Sequence, residues 1–241
     1  MKTNRRIHLI SSPRNISTAM MYSFANRKDT TVVDEPHYAY YLNLTQKQHP
    51  GFEETTKSQS INNESVINDL LNKDFNHEIV LFKNMAHHLI EMNTDFLEQL
   101  DNVFLIRNPK QLIASFAQVI EAPEMEDVGS KRQWELFEEL TSKGLHPIVL
   151  DSNEVLKNPA KVLGELCNKL NIPFTEEMLK WEAGAIKEDG VWAKYWYANV
   201  HASTGFMKQK TSERELPEHL VPLYEECRPF YEKLYKHAIK A

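Results

Sequence analysis

Hydrophobic and polar positions along this chain fall into two alternating patterns. Short apolar runs, rich in β-branched residues and bounded by polar or turn-forming residues, recur at 7–10, 31–33, 79–82, 103–106 and 147–150. Runs of that length and composition read as strands. Between them apolar residues repeat at helical spacing over 17–27, 61–72, 93–99, 109–119, 131–143, 153–170 and 217–238. The strand runs are continuously apolar, as expected of strands covered on both faces. Strands alternating with helices predict an α/β fold, a three-layer parallel sheet with helices on both faces and right-handed crossovers. The polar stretch 45–63 is the one candidate for a mobile loop or lid.

In such sheets ligands bind beyond the carboxyl ends of the strands. The residues found there are Ser11 to Thr18, then Asp34-Glu35-Pro36-His37, then Lys83-Asn84-Met85-Ala86-His87-His88, then Arg107-Asn108-Pro109, and finally Asp151-Ser152. The first is the most informative. An apolar strand stops at Ser11-Ser12-Pro13, and Ser17 or Thr18 can open a helix as its N-cap. Free N–H groups and the helix dipole favour an anion at that point, and Arg14 adds a planar fork matched to phosphate or sulfate. The turn lacks the Gly-Lys-Ser/Thr ending of an ATP or GTP cradle. Taken alone, it also reads as a capped helix with a surface arginine.

Composition narrows the class. The 41% hydrophobic and 26% charged residues are those of an ordinary globular protein, and the 241 residues are read as one domain, 1–241. A net charge of −6 argues against nucleic acid as a partner, so an anion site must be a local basic pocket. The two cysteines, Cys167 and Cys227, lie in amphipathic helical patterns and form no disulfide framework, which makes the cytoplasm the expected compartment. The apolar run after Lys2, Arg5 and Arg6 is too short for a signal peptide, and no run approaches a membrane span.

A second segment makes the reading specific. Val103-Phe-Leu-Ile-Arg107-Asn-Pro109 is a strand ending in arginine, followed by proline at a helix's first position, with Ser115 two turns further on. This resembles the 3′-phosphate motif of the sulfotransferase family. Pro13-Arg14-Asn-Ile-Ser17-Thr18 is similar to that family's 5′-phosphosulfate loop. Ile148-Val-Leu-Asp151, with Asn158-Pro159 and Leu170-Asn-Ile-Pro173 after it, resembles a third family block. The resemblance covers roughly 1–40 and 78–175. It implies a P-loop NTPase-like fold and transfer of a sulfuryl group from 3′-phosphoadenylyl sulfate (PAPS) to a hydroxyl or amine of a small-molecule acceptor. The product is 3′-phosphoadenosine 5′-phosphate (PAP), and no metal is expected.

On that resemblance Arg14, with Asn15, Ile16, Ser17 and Thr18, holds the 5′-phosphosulfate, while Arg107 and Ser115 hold the 3′-phosphate. Glu35, fixed between a strand and a proline, is the first choice for general base. His87 is the rival, with His88 beside it, and Lys83 is placed to reach the bridging oxygen. The late stretch 201–210, with Gly205, Lys208 and Lys210, resembles the family's nucleotide-covering loop, and Lys208 is taken as a donor contact. The aromatic stretch 192–197 is either core, a roof over the acceptor or a stacking face for adenine. Three positions depart from the family pattern: Asn15-Ile16 replaces Ser-Gly, and Asn84 stands where a histidine is common. Two other readings stay open, a small-metabolite kinase with Asp34 as its metal carboxylate, and an adenosine-phosphate-binding module without catalysis. The stripe Leu220, Leu223, Tyr224, Cys227, Tyr231, Leu234 packs either on its own domain or on a partner, so the oligomeric state is unread.

Overall fold

The computed structural model describes residues 4–120, 122–207 and 214–241. In chain order the elements are β1 (Arg5–Ser11), α1 (Ser17–Ala25), β2 (Thr30–Asp34), α2 (Tyr38–Thr45), α3 (Phe52–Ser58), α4 (Asn63–Asn72), β3 (Ile79–Met85), β4 (Asp101–Ile106), α5 (Pro109–Phe116), α6 (Met125–Val128) and α7 (Ser130–Ser142). They continue with β5 (Ile148–Asp151), α8 (Ser152–Lys157), α9 (Pro159–Lys169), α10 (Ala193–Trp196), α11 (Ala198–His201), α12 (Val221–Tyr235) and β6 (Ala238–Ile239). Short 3₁₀ turns follow β3 at Ala86–His88 and precede β4 at Asp95–Gln99.

The strands form one sheet in the order β2-β3-β1-β4-β5-β6, and every pairing is parallel. Successive side chains of a strand point to opposite faces, and both faces are apolar. Ile7, Leu9, Leu81, Val103 and Leu105 pack with Met20, Met21 and Phe24 of α1 and with Val162, Leu163 and Leu166 of α9. Ile10, Val80, Phe82, Phe104 and Ile106 pack against Val66 and Leu70 of α4 and Leu136, Phe137 and Leu140 of α7. This is the expected α/β three-layer, P-loop-like architecture.

Several local expectations are corrected. The helical pattern 153–170 is two helices, because Asn158 leaves helical geometry at φ −148 ahead of Pro159, and its side chain caps α9 by accepting from Lys161 N–H at 3.2 Å. The 93–99 pattern forms only a 3₁₀ turn. The last pattern stops at Tyr235, and the chain then pairs with β5 as an edge strand. Pro147 stays outside β5, having no N–H for the ladder. The polar stretch 45–63 contains α3, entered through Gly51 at φ 79, and α2 precedes it on the buried side chains of Tyr38, Tyr41 and Leu42. The C-terminal stripe packs on its own domain: Leu220 and Cys227 join Leu112, Ile113 and Phe116, while Leu234 joins the core under α7. Among the described residues no helix is long and apolar enough to cross a membrane.

Candidate active site

The sheet order reverses between β1 and β4: β1 leads through α1 to one side, and β4 leads through α5 to the other. The crevice at such a switch point is where α/β sheets bind ligands, and both basic motifs meet there. Arg14 takes the left-handed conformation (φ 53). Asn15 ties the loop to β4 by donating from Nδ2 to Leu105 O at 2.9 Å, and its Oδ1 accepts Ile16 N–H at 2.9 Å. The turn thus places its one positive φ at Arg14. Ile16 sits at φ −87 as the N-cap of α1. Neither Ser17 nor Thr18 is the cap. The first i→i−4 bond runs from Met20 N–H to Ile16 O at 2.9 Å, so the N–H groups of Ser17, Thr18 and Ala19 lie before it without an intrahelical acceptor.

Arg107 donates to the carbonyl of Arg14, and Arg14 Nε donates to Ser115 Oγ at 3.4 Å. Arg14, Asn15, Ile16, Thr18, Arg107 and Ser115 all line one cleft of about 1030 Å³. Ser17 is 2% exposed and faces inward. Burial lowers the Arg107 guanidinium to about 10, and neighbouring Arg14 pushes the same way. Burial and Arg214 lower Arg14. Among the described residues the carboxylate acting on Arg107 is Asp151, which is occupied in capping α8 through Asn153 N–H (2.9 Å) and Glu154 N–H (3.1 Å). Among the described residues neither guanidinium has an ion-pair partner within 4 Å. Two half-buried like charges without a counter-charge, beside open helix N–H groups, form a cradle for a multiply charged anion.

A second cluster lies behind the cleft wall. Glu35 takes a left-handed turn after β2 at φ 40, with its N–H bonded to Lys83 O at 2.7 Å. Lys83, 0% exposed, contacts Glu35 Oε1, and its Nζ donates to Asp34 Oδ1 at 3.0 Å and to the Tyr197 hydroxyl at 2.6 Å. Tyr197 in turn donates to Asp34 at 2.8 Å and accepts from Trp192 Nε1 at 3.1 Å. Gly190 N–H donates to Asp34 Oδ2 at 3.1 Å. Burial opposes the Lys83 charge, but Asp34 and Glu35 outweigh it and hold the ammonium above the usual lysine range. Burial next to Asp34 raises Glu35, with Lys83 opposing. Two carboxylates share one ammonium, and burial makes Glu35 ionise less readily than a free glutamate. Tyr197 also lines the cleft, so this cluster abuts the anion cradle.

The two histidines after β3 diverge. His87 packs edge-on to Tyr41 (centroids 5.0 Å apart), and Asp127 and Lys47 are among the charges that act on it. His88 turns towards Glu35, with Nδ1 4.0 Å from Oε2. Burial lowers His87 to about 3 and His88 well below the ordinary range, so both rings are neutral at pH 7. Asn84 points to the other face of β3, where it contacts His37 Nδ1 at 2.8 Å and His8 Nε2 at 3.3 Å. In the aromatic stretch Trp192 and Tyr197 are core, Trp196 and Tyr197 wall the cleft, and Tyr195 is exposed. Lys208 and Lys210 lie outside the described residues.

The sequence reading missed three partners: Tyr197, 114 residues from the Lys83 it touches, Arg214, and the pairing of Asp34 with Lys83. The signal for Tyr197 was its aromatic stretch, which sequence alone does not aim at any strand end.

The family model described as Sulfotransferase domain matches residues 5–238. Two Arabidopsis thaliana proteins called branched-chain-amino-acid aminotransferase-like, proteins 1 and 2, are 37% and 34% identical to it over 232 residues. Those matches cover 96% of this chain but 42% and 41% of the relatives, so the chain spans about two fifths of their length. Among solved structures, the sulfotransferase domain of the curacin biosynthetic pathway aligns at TM-score 0.55 and 17% identity, covering 98% of this chain and 99% of its own. That of the Synechococcus PCC 7002 olefin synthase aligns at 0.58 and 14%, covering 96% and 95%. A sulfotransferase from Alicyclobacillus acidocaldarius aligns at 0.56 and 11%, covering 98% and 97%.

Proposed function

The chain belongs to the sulfotransferase domain family, and we propose that it transfers a sulfuryl group from PAPS to a hydroxyl or amine of a small acceptor. The observation that carries this reading is the convergence of Arg14, Arg107 and Ser115 at the β1/β4 switch point, two cations with no anion of their own among the described residues. PAPS carries phosphate at both ends of its ribose, and both basic motifs line one cleft.

Arg14 and the N-terminus of α1 bind the 5′-phosphosulfate and take up the charge that appears on the leaving phosphate. Arg107 and Ser115 bind the 3′-phosphate and fix the register of the donor. Glu35 takes the proton of the attacking group, and burial suits it to that task by raising its affinity for a proton. Lys83 holds Glu35 Oε1 and leaves Oε2 for the acceptor. Calorimetry tests the reading: PAP binds in the micromolar range, and AMP and ATP bind much more weakly. Equal affinity for PAP and AMP removes the 3′ site from the argument.

A further inference from the structure

We propose that the acceptor is an uncharged alcohol whose hydroxyl oxygen is held between Glu35 Oε2 and His88 Nδ1, making His88 a second catalytic residue. The inference rests on the transfer reading above. Glu35 Oε1 is taken up by Lys83 and Tyr197, while Oε2 has no hydrogen bond among the described residues. His88 Nδ1 is buried and also without a partner. The two atoms face each other at 4.0 Å. That is too far for a direct hydrogen bond, and it is the span one oxygen covers when it sits about 2.8 Å from each. Facing unpaired polar atoms of this kind call for an explanation.

The His88 ring is fixed in direction. It stacks on Tyr38 at 4.9 Å and 8°, lies against Tyr41 at 4.8 Å, and meets His87 edge-on at 4.6 Å. His87 contacts Tyr41 and His88 but makes no ion-pair or hydrogen-bond contact with Glu35 among the described residues. The described cations around this aromatic box are engaged, Lys83 with Asp34 and Glu35, Lys47 with Asp127 and Lys194 with Glu54. Among the described residues no free cation is left there to meet a carboxylate or phosphate on the acceptor, whereas a neutral alcohol fits neutral rings.

In the step, the acceptor oxygen attacks sulfur and forms the new S–O bond while its proton passes to Glu35 Oε2. The S–O bond to the 5′-phosphate breaks, and its electron pair leaves on the phosphate oxygen. His88 Nδ1–H donates to the attacking oxygen and sets its direction.

The test uses His88→Phe and His88→Asn, the latter keeping a polar atom near the Nδ1 position. PAP affinity is measured by calorimetry, fold by thermal unfolding, and turnover both as PAPS hydrolysis, with water as acceptor, and as transfer to a panel of uncharged and carboxylated alcohols. We expect PAP affinity to stay within about twofold, turnover to fall about 100-fold in His88→Phe, and His88→Asn to recover at least a tenth of wild type, the scale of one positioned proton-handling group. His87→Phe should cost clearly less. Near-normal turnover in His88→Phe, an equal loss in His87→Phe, or preference for carboxylated alcohols overturns the proposal and leaves the family reading standing. A wild type that binds PAP but transfers to neither water nor alcohol also overturns it. Failure of the wild type to bind PAP removes both.

Discussion

The anion cradle and the carboxylate–lysine cluster sit side by side, separated by Tyr197, and solve opposite electrostatic problems. In the cradle, Arg14 and Arg107 are half-buried, repel each other and, among the described residues, hold only backbone and hydroxyl partners. In the cluster, Lys83 is fully buried between Asp34 and Glu35 with three oxygen contacts. Among the described residues the first region has no counter-charge. The second is nearly complete within the protein and keeps one free carboxylate oxygen. A charge that lacks a partner signals binding; a charge that has too many signals structure, with function confined to the atom left over. Changes in the cradle should therefore appear in affinity with little loss of stability, and changes in the cluster should appear in turnover and stability with little loss of affinity.

The largest effect is expected at Glu35. Glu35→Gln keeps the size and the contact with Lys83 but removes the proton acceptor, so turnover should fall by roughly 10²–10⁴ with PAP affinity within about twofold. An assay with labelled donor decides this. Near-normal turnover would move the base elsewhere. Lys83→Met breaks the other half of the comparison. It leaves two adjacent buried carboxylates without a cation, and urea unfolding at pH 7 should show a loss of about 3–5 kcal/mol. Part of that loss should return near pH 5, as Glu35 takes up a proton. If the variant is as stable as wild type, the cluster is not the structural element described.

Arg107→Ala tests the cradle. A charge-assisted contact to the 3′-phosphate is worth about 1.5–3 kcal/mol. PAP affinity should fall by the corresponding factor while AMP affinity and the unfolding temperature change little. Equal weakening of PAP and AMP with the fold intact would make Arg107 a structural support for the loop through its bond to Arg14 O.

The two regions also differed in how far sequence exposed them. The cradle was legible because each half is contiguous: strand, turn and helix lie within one segment, and the turn's arginine is set by local geometry. The sheet was legible for the same reason, since burial on both faces writes itself as apolar runs. The cluster was only half legible. Glu35 and Lys83 stood out singly, but their partnership depends on β2 pairing with β3 in the register that sets Asp34 against Lys83, and on Tyr197 returning from far along the chain. The choice between His87 and His88 was invisible, because a 3₁₀ turn after β3 decides which ring faces Glu35. Helices α2 and α3 were missed because aromatic and polar residues hide a helical period that tertiary packing enforces.

The smallest expected effect concerns the opposite face of β3, where Asn84 joins His8 and His37 in a neutral polar chain. Burial lowers His8 to about 4 and His37 to about 3, with His8 adding to the shift at His37. The groups that face His37 from the packed elements are His8, Asn84, Asn63, Tyr40 and Phe96, and none is a carboxylate. The sign follows. Above the unfolded value near 6.5 both states leave the imidazole neutral, and the histidine adds no pH dependence. Below it the unfolded chain takes a proton that the folded chain refuses, so stability falls as pH falls, down to the folded value. Glu35 has the opposite sign: its raised affinity makes the folded state take the proton first, so lower pH relieves the cluster. Between pH 7.5 and 6 the loss from one such histidine depends only on the unfolded value and amounts to about 0.8 kcal/mol. Replacing His37 with Gln should remove that share from the wild-type pH dependence of urea unfolding over this window, while the slope contributed by His8 stays. If the pH dependence is unchanged by His37→Gln, the ring is protonated in the folded protein or exposed to water, and the contrast between a neutral chain on one face of β3 and a charged cluster on the other falls with it.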